Sequence, residues 1–116
     1  MILRSVGVVR NKGGSTQRIE IYEPFSEGLD GVEEMESLWV LYWMHRLSEA
    51  DRKILRVHPR GDPANPMRGV FATHSPARPN PIGLTRVHVV HREGNTLIVE
   101  GLDALDGSPV LDLKSA

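Results

Sequence analysis

The chain has 116 residues, 14 Lys and Arg against 15 Asp and Glu, a formal net charge of -1, no cysteine and a hydrophobic share of 40%. That length suits a single domain, residues 1–116, around one core, and the missing thiols exclude disulfides and thiolate metal sites. No apolar run approaches the roughly 20 residues a membrane span needs, so the expectation is a cytoplasmic protein with no membrane partner.

The balanced total argues against coating nucleic acid through bulk positive potential, but the charges are unevenly placed. Residues 20–36 contain seven acidic side chains and no basic one, whereas residues 52–68 gather Arg52, Lys53, Arg56, Arg60 and Arg68 against Asp62 alone. If both segments are exposed, the surface is polarised, either as two solvated faces or with a basic patch that meets a phosphate backbone.

In chain order, "MILRSVGVVR" lacks the sustained apolar core and cleavage site of a signal peptide and reads as a first strand over residues 2–9. Further strands are expected over 18–22, 38–44, 54–58, 69–73, 82–91, 96–100 and 110–114, where apolar residues alternate or run together. The connections "NKGGST", "EGLDG", "RGDPANP", "REGN" and "DALDGSP" are rich in turn formers, and "HREGNTL" reads as a hairpin. Short helices fit only 31–37 and 48–53, the second capped by Ser48 with Glu49 and Asp51 behind it. The pattern is mainly β, an antiparallel or mixed barrel or sandwich with one or two short helices.

The strand "SLWVLYWMH" is apolar on both faces. Trp39, Leu41 and Trp43 alternate with Leu38, Val40, Tyr42 and Met44. One face can enter the core; the other needs a cover, either a packed helix or loop or a second subunit, and in so small a domain the reading favours a homodimer.

No G-x-G-x-x-G, Walker A or His-x-x-x-His pattern is present. The histidines are His45, His58, His74, His88 and His91. His88 and His91 stand three apart on a predicted strand, so they are expected on opposite faces, and no metal site is anticipated. His58, before Pro59, reads as a strand-end residue.

The stretch "ATHSPARPNPIGLT" departs from this pattern. Pro76, Pro79 and Pro81 fix their own φ and push Ser75, Arg78 and Asn80 towards extended backbone. Ordering a loop residue normally costs about 1–2 kcal/mol, so much of that cost is removed in advance. Such preorganisation suits either a stiff connector or a ligand site. His74, Ser75, Arg78 and Asn80 supply donors and acceptors, and Gly83 would admit a ligand close to the backbone. In "GLDALDGSP", Asp103 and Asp106 flank a turn in which Gly107 is free to take positive φ, and one of the two carboxylates is expected to do no more than bond backbone. "WMHR" ends the apolar strand with His45 and Arg46 at a rim where a pocket could open.

The blocks "VEEMESLWVLYWMH", "GVFATHSPARPNPIGLT" and "GLDALDGSPVLDLK", in this order, resemble the TsaA-like family of TrmO-type tRNA methyltransferases over nearly the whole chain. The resemblance implies a compact β-barrel that binds S-adenosyl-L-methionine and works as a homodimer with the cofactor near the interface. It also implies methyl transfer to the exocyclic nitrogen of a threonylcarbamoylated adenosine beside the tRNA anticodon. Cofactor contacts would fall on His45, Arg46, His74, Leu84 and the turn of Asp103, Ala104, Leu105 and Asp106, and Ser75, Arg78, Asn80 and Gly83 join them from the loop reading. Asp103 or Asp106, then His45, are the candidate general bases, and the basic stretch would steer the tRNA backbone.

Three departures from the family pattern stand out. His74 occupies a position where relatives carry Arg, which replaces a permanent charge with a titrating side chain. The loop "NKGGSTQR" is shorter than its counterpart, with only Gln17 and Arg18 similar to the Pro-Arg-Gln signature there. Relatives also continue beyond the position of Lys114 with a Pro-Tyr-x-Pro stretch. The alternatives to a methyltransferase are a non-catalytic module binding the cofactor or a nucleoside, and a small RNA-binding barrel without a cofactor.

Overall fold

The computed structural model describes residues 1–116. Its strands are β1 (Gly7–Arg10), β2 (Thr16–Ile21), β3 (Ser37–Trp43), β4 (Arg56–Val57), β5 (Arg68–Gly69), β6 (Ile82–Glu93), β7 (Thr96–Glu100) and β8 (Pro109–Ser115). Six of them pair in the order β1-β2-β7-β6-β3-β8, and β8 returns to β1 through Gly7 opposite Val110, so the sheet closes into a barrel. Every pairing is antiparallel.

Period-two alternation drives the closure. Ile19 and Ile21 from β2, Leu38, Val40 and Tyr42 from β3, Val87 and Val89 from β6, and Leu97 and Val99 from β7 all turn inward into one cluster. Each such side chain contributes about 1.5–3 kcal/mol when removed from water. At the barrel end where β2 and β6 finish and β3 starts, Leu29 and Val32 are buried from the connecting segment, with Phe25 packed against the cluster. Arg92 holds that segment by donating to the Leu29 carbonyl and the Glu33 carboxylate. The opposite end carries the loops after β1, β3 and β7. The acidic and basic segments therefore belong to opposite ends, and their charged side chains are mostly exposed.

Several expectations need correction. There is no α-helix: the predicted helices shrink to 3-10 turns at Val32–Glu34 and Asp51–Lys53. Ser48 and Asp51 do bond reciprocally, the Ser48 hydroxyl accepting from the Asp51 N–H at 3.2 Å and donating to its carboxylate at 3.0 Å. The first strand starts at Gly7, because Ile2 and Leu3 have nothing to pack against and lie exposed. The expected strand over 69–73 is mostly the 3-10 turn Val70–Ala72, which buries Val70 and turns Phe71 outward. The hairpin is confirmed, with Gly94 at φ 60° and Glu93 opposite Thr96, the positive φ a tight hairpin turn demands. A register shift between Val89 and His91 breaks the alternation, so His88 and His91 are both exposed rather than on opposite faces. His91 meets Glu93 at 3.0 Å, and no cluster of three metal-ligating side chains occurs.

Candidate functional site

At the open end of the barrel, three side chains from three segments meet. The Tyr42 hydroxyl donates to Asp103 Oδ1 at 3.0 Å, the Thr85 hydroxyl donates to the same oxygen at 2.7 Å, and the two hydroxyls lie 3.3 Å apart. A phenol on an otherwise apolar strand needs such a partner when buried. Gly83 makes the arrangement possible. A Cβ there would lie 2.2 Å from Tyr42 Cζ, so the space above this glycine belongs to the tyrosine ring and not to a ligand, contrary to the sequence expectation. Burial pushes the Tyr42 phenol above its usual range, the neighbouring Thr85 hydroxyl opposes the shift, and the Asp103 charge adds to it. The phenol is therefore a donor at neutral pH, and with Thr85 it fixes the carboxylate's orientation. Oδ2 receives no donor from the protein.

Asp103 forms part of the wall between two adjoining hollows. The central cleft, about 520 Å³, is lined by Leu41, Tyr42, Met44, Thr73, His74, Pro76, Arg78, Ile82, Gly83, Leu84, Thr85 and Asp103. A more apolar compartment of about 330 Å³ lies beside it between Arg46, Leu47, Ala104, Leu105 and Ser108, sharing Tyr42, Met44, Pro76 and Asp103. Concave, largely apolar space with a few fixed polar groups is the usual form of a small-molecule site.

The proline loop forms one wall, and its own arginine ties it down. Arg78 donates from Nε to the Ser75 carbonyl at 2.8 Å, and from its terminal nitrogen to the carbonyls of Thr73 at 2.6 Å and of Val70. Arg78 thus lines the cleft while two of its three guanidinium nitrogens serve the loop itself, a structural role that the sequence did not suggest. Arg52 braces the loop from outside: Nε donates to the Pro79 carbonyl at 2.8 Å and the guanidinium lies 5.3 Å over the Trp43 ring.

The other predicted residues divide. Arg46, Ala104 and Leu105 border the apolar compartment, His74 and Leu84 border the central cleft, and Ser75 faces a third hollow beyond His74. Asn80 is exposed and lines none of these hollows. Asp106 is drawn away, its Oδ1 accepting the Asn11 N–H at 3.0 Å, while Asn11 Nδ2 donates to the Leu102 and Ala104 carbonyls at 3.3 and 2.8 Å. Of the two turn carboxylates, Asp106 is thus the one that bonds backbone. His45 is exposed outside the lining and packs towards Gly107, which takes φ 84°. Gln17 is buried, its Oε1 accepting the Leu102 N–H at 2.9 Å, so it holds the 101–108 loop from beneath. Tyr42 and Thr85 escaped sequence reasoning, although a tyrosine among inward-facing aliphatics was a signal that something polar lies within its reach.

Comparison with known proteins identifies the family. The profile of the tRNA-methyltransferase O N-terminal domain matches residues 8–115. A Methanocaldococcus jannaschii protein named "probable S-adenosyl-L-methionine-binding protein" is 45% identical over 115 residues, covering 97% of this chain and 89% of that one. An Archaeoglobus fulgidus protein named "S-adenosyl-L-methionine-binding protein" is 42% identical over 127 residues, covering 98% and 88%. Among solved structures, the chain is similar to a TrmO crystal structure at a TM-score of 0.75 and 29% identity, and to TrmO from Pseudomonas aeruginosa at 0.74 and 27%. All of this chain is covered in both, but only 57% and 55% of those longer chains. On the extent of the profile match and of these relatives, the chain belongs to the family of the tRNA-methyltransferase O N-terminal domain.

Proposed function

We propose that the chain is an S-adenosyl-L-methionine-dependent methyltransferase acting on tRNA, at the exocyclic nitrogen of a threonylcarbamoylated adenosine next to the anticodon. The observation that carries this reading is the Asp103 carboxylate, held by Tyr42 and Thr85 in the wall common to the apolar compartment and the central cleft. The names of the relatives supply the cofactor class, and the family supplies the RNA. A cysteine-free chain acting on tRNA fits a cytoplasmic location.

The donor set suits the cofactor. Met44, Leu47 and Leu105 would offer apolar cover and Arg46 a cation for its carboxylate, which leaves the free oxygen of Asp103 to face the reacting group. When bound, S-adenosyl-L-methionine supplies an activated methyl group. The nucleophilic nitrogen would have to lose its proton as it accepts that group, and Asp103 Oδ2, the carboxylate oxygen without a donor, would receive it. The rigid proline loop holds the reacting groups in line, and such positioning lowers a barrier by as much as roughly 7–11 kcal/mol. His45 and Asp106 stand back from this step.

A homodimer completes the site. Trp39, Leu41 and Trp43 face outward, with Leu84 opposite Leu41, and Trp39 and Leu84 are 37% and 45% exposed. Leu41 and Leu84 also line the cleft, so a second copy seated on this row would close the cleft against water.

The second reading, a binding module without turnover, draws on relatives named only for binding the cofactor. Labelled methyl transfer to tRNA from a strain lacking the homologous enzyme separates the two. Incorporation, falling at least about 100-fold in Asp103→Asn, is expected. Saturable cofactor binding in calorimetry with no incorporation on any tRNA would leave the binding module.

A further inference from the structure

We infer that the hollow beyond His74, with Phe71 beside it, docks unpaired RNA flanking the reacting nucleoside: Phe71 stacks on a base, and Arg60 and Arg68 take phosphates. The hollow measures about 550 Å³, shares Thr73, His74 and Pro76 with the central cleft, and includes His58, Arg60, Arg68 and Ser75 in its lining, with no acidic residue. It is a continuous extension of the candidate site.

Its cations are unspent. Arg10, Arg18, Arg52 and Arg92 pair with glutamates and Arg78 with carbonyls; Arg60 and Arg68, like Arg4, Arg46, Arg56 and Arg86, are exposed and form no ion pair, and of these six only Arg60 and Arg68 line the hollow. Asp62, the nearest acid in sequence, accepts from the Ala64 N–H at 2.9 Å. Arg60 is also the sole non-glycine residue at positive φ, 60°, a conformation that costs a side chain about 1–2 kcal/mol and is retained where the surroundings over-determine it. The loop that carries it is fastened from within, His58 Nδ1 to the Asn65 carbonyl at 2.8 Å and Asn65 Nδ2 to the Pro59 carbonyl at 2.8 Å.

Phe71 is 84% exposed, the largest value for any aromatic residue here, and it precedes the lining residues Ala72 and Thr73. An exposed aromatic next in the chain to the lining of a hollow that carries two guanidinium groups fits single-stranded nucleic acid, whose bases stack while its phosphates meet cations. A second copy fits poorly. Two identical cationic faces would repel across a symmetric contact, and the apolar row of Trp39, Leu41 and Trp43 is available for that role.

The inference rests on the methyl-transfer reading for its choice of substrate, so RNA and cofactor binding are measured apart. Fluorescence anisotropy would follow a labelled anticodon stem–loop RNA over a salt series, and calorimetry would follow S-adenosyl-L-methionine. Phe71→Ala is expected to weaken RNA binding about 5- to 100-fold and Phe71→Trp to restore it. The double variant Arg60→Gln, Arg68→Gln should flatten the slope of log affinity against log salt by about 1.5. Cofactor affinity should stay unchanged in all three. Wild-type RNA affinity and slope in Phe71→Ala and the double variant would overturn the inference. So would a Phe71→Ala protein that loses its dimer in sedimentation while keeping its RNA affinity, which would make the patch an interface between copies. A wild-type chain that binds RNA but not the cofactor would sink the methyl-transfer reading alone, and the same variants would still decide the docking.

Discussion

In the barrel, Ile19, Val40, Leu97 and Val99 are fully shielded from water and pack side chain against side chain, whereas from residue 45 to residue 80 only Val70 is buried. The long excursion between β3 and β6 has no core of its own. Its two-residue strands β4 and β5 pair over Arg56 opposite Gly69 and Val57 opposite Arg68. The remainder is held by prolines that restrict the backbone and by Arg78, Arg52, His58 and Asn65 bonding to carbonyls. The barrel is thus stabilised by area removed from water and the excursion by local stiffness and directed hydrogen bonds. Segments with few buried contacts open at lower free energy than the core, which suits a wall that must admit and release a ligand.

This difference is sharpest under mutation. Leu97→Ala leaves a cavity where exposure is 0%, which costs about 2–5 kcal/mol and should lower the melting temperature by roughly 10–20 °C in calorimetry, with all regions melting together. Arg78→Ala removes hydrogen bonds to three carbonyls of its own loop. Bonds to a charged group are worth about 1.5–3 kcal/mol each, though not additively. Here the loss should appear locally, as faster amide exchange over residues 69–80 and about tenfold weaker cofactor binding, with the barrel's melting nearly unmoved. Arg78→Lys should not rescue it, because an ammonium cannot reproduce the planar fork. A global loss of stability in Arg78→Ala as large as in Leu97→Ala would end the distinction between the two regions.

The same division explains what could be read from residues alone. Strand alternation is a local signal, so five of the six barrel strands stand close to where apolar residues alternate between turn formers, while the first begins only at Gly7 because Ile2 and Leu3 find nothing to pack against. The stiffness of the proline loop was equally legible, because proline acts on its own φ and on its neighbour. Partners of polar side chains were not legible. Arg78 looked like a ligand contact because nothing in "SPARPNP" says that the Val70, Thr73 and Ser75 carbonyls converge on it. Gly83 looked like an opening for a ligand because its neighbour across the sheet, Tyr42, is 41 positions away in sequence. The strand expected over 69–73 followed an apolar run whose Phe71 turns out to face solvent, a placement decided by the surroundings and not by composition.

The smallest effect tests where the two regions join. Tyr42 packs its ring in the barrel and points its hydroxyl at Asp103 in the cleft. Tyr42→Phe keeps the packing over Gly83 and removes one hydrogen bond, so stability at neutral pH should fall by about 1 kcal/mol. Methyl transfer should fall about tenfold, because Asp103 keeps only Thr85 as a donor. The pH dependence supplies the sign. Burial raises the folded-state value of the phenol above that of the unfolded chain, so its contribution is complete below about pH 10. As pH rises beyond that point, the unfolded chain releases the proton while the folded chain retains it, and stability declines until the folded phenol also ionises. Chemical denaturation of wild type and Tyr42→Phe across the alkaline range should therefore show the difference between them narrowing above about pH 10. Parallel curves would mean that the phenol is as free to ionise in the fold as in the unfolded chain, and the barrel would then not shelter the residue that aims Asp103.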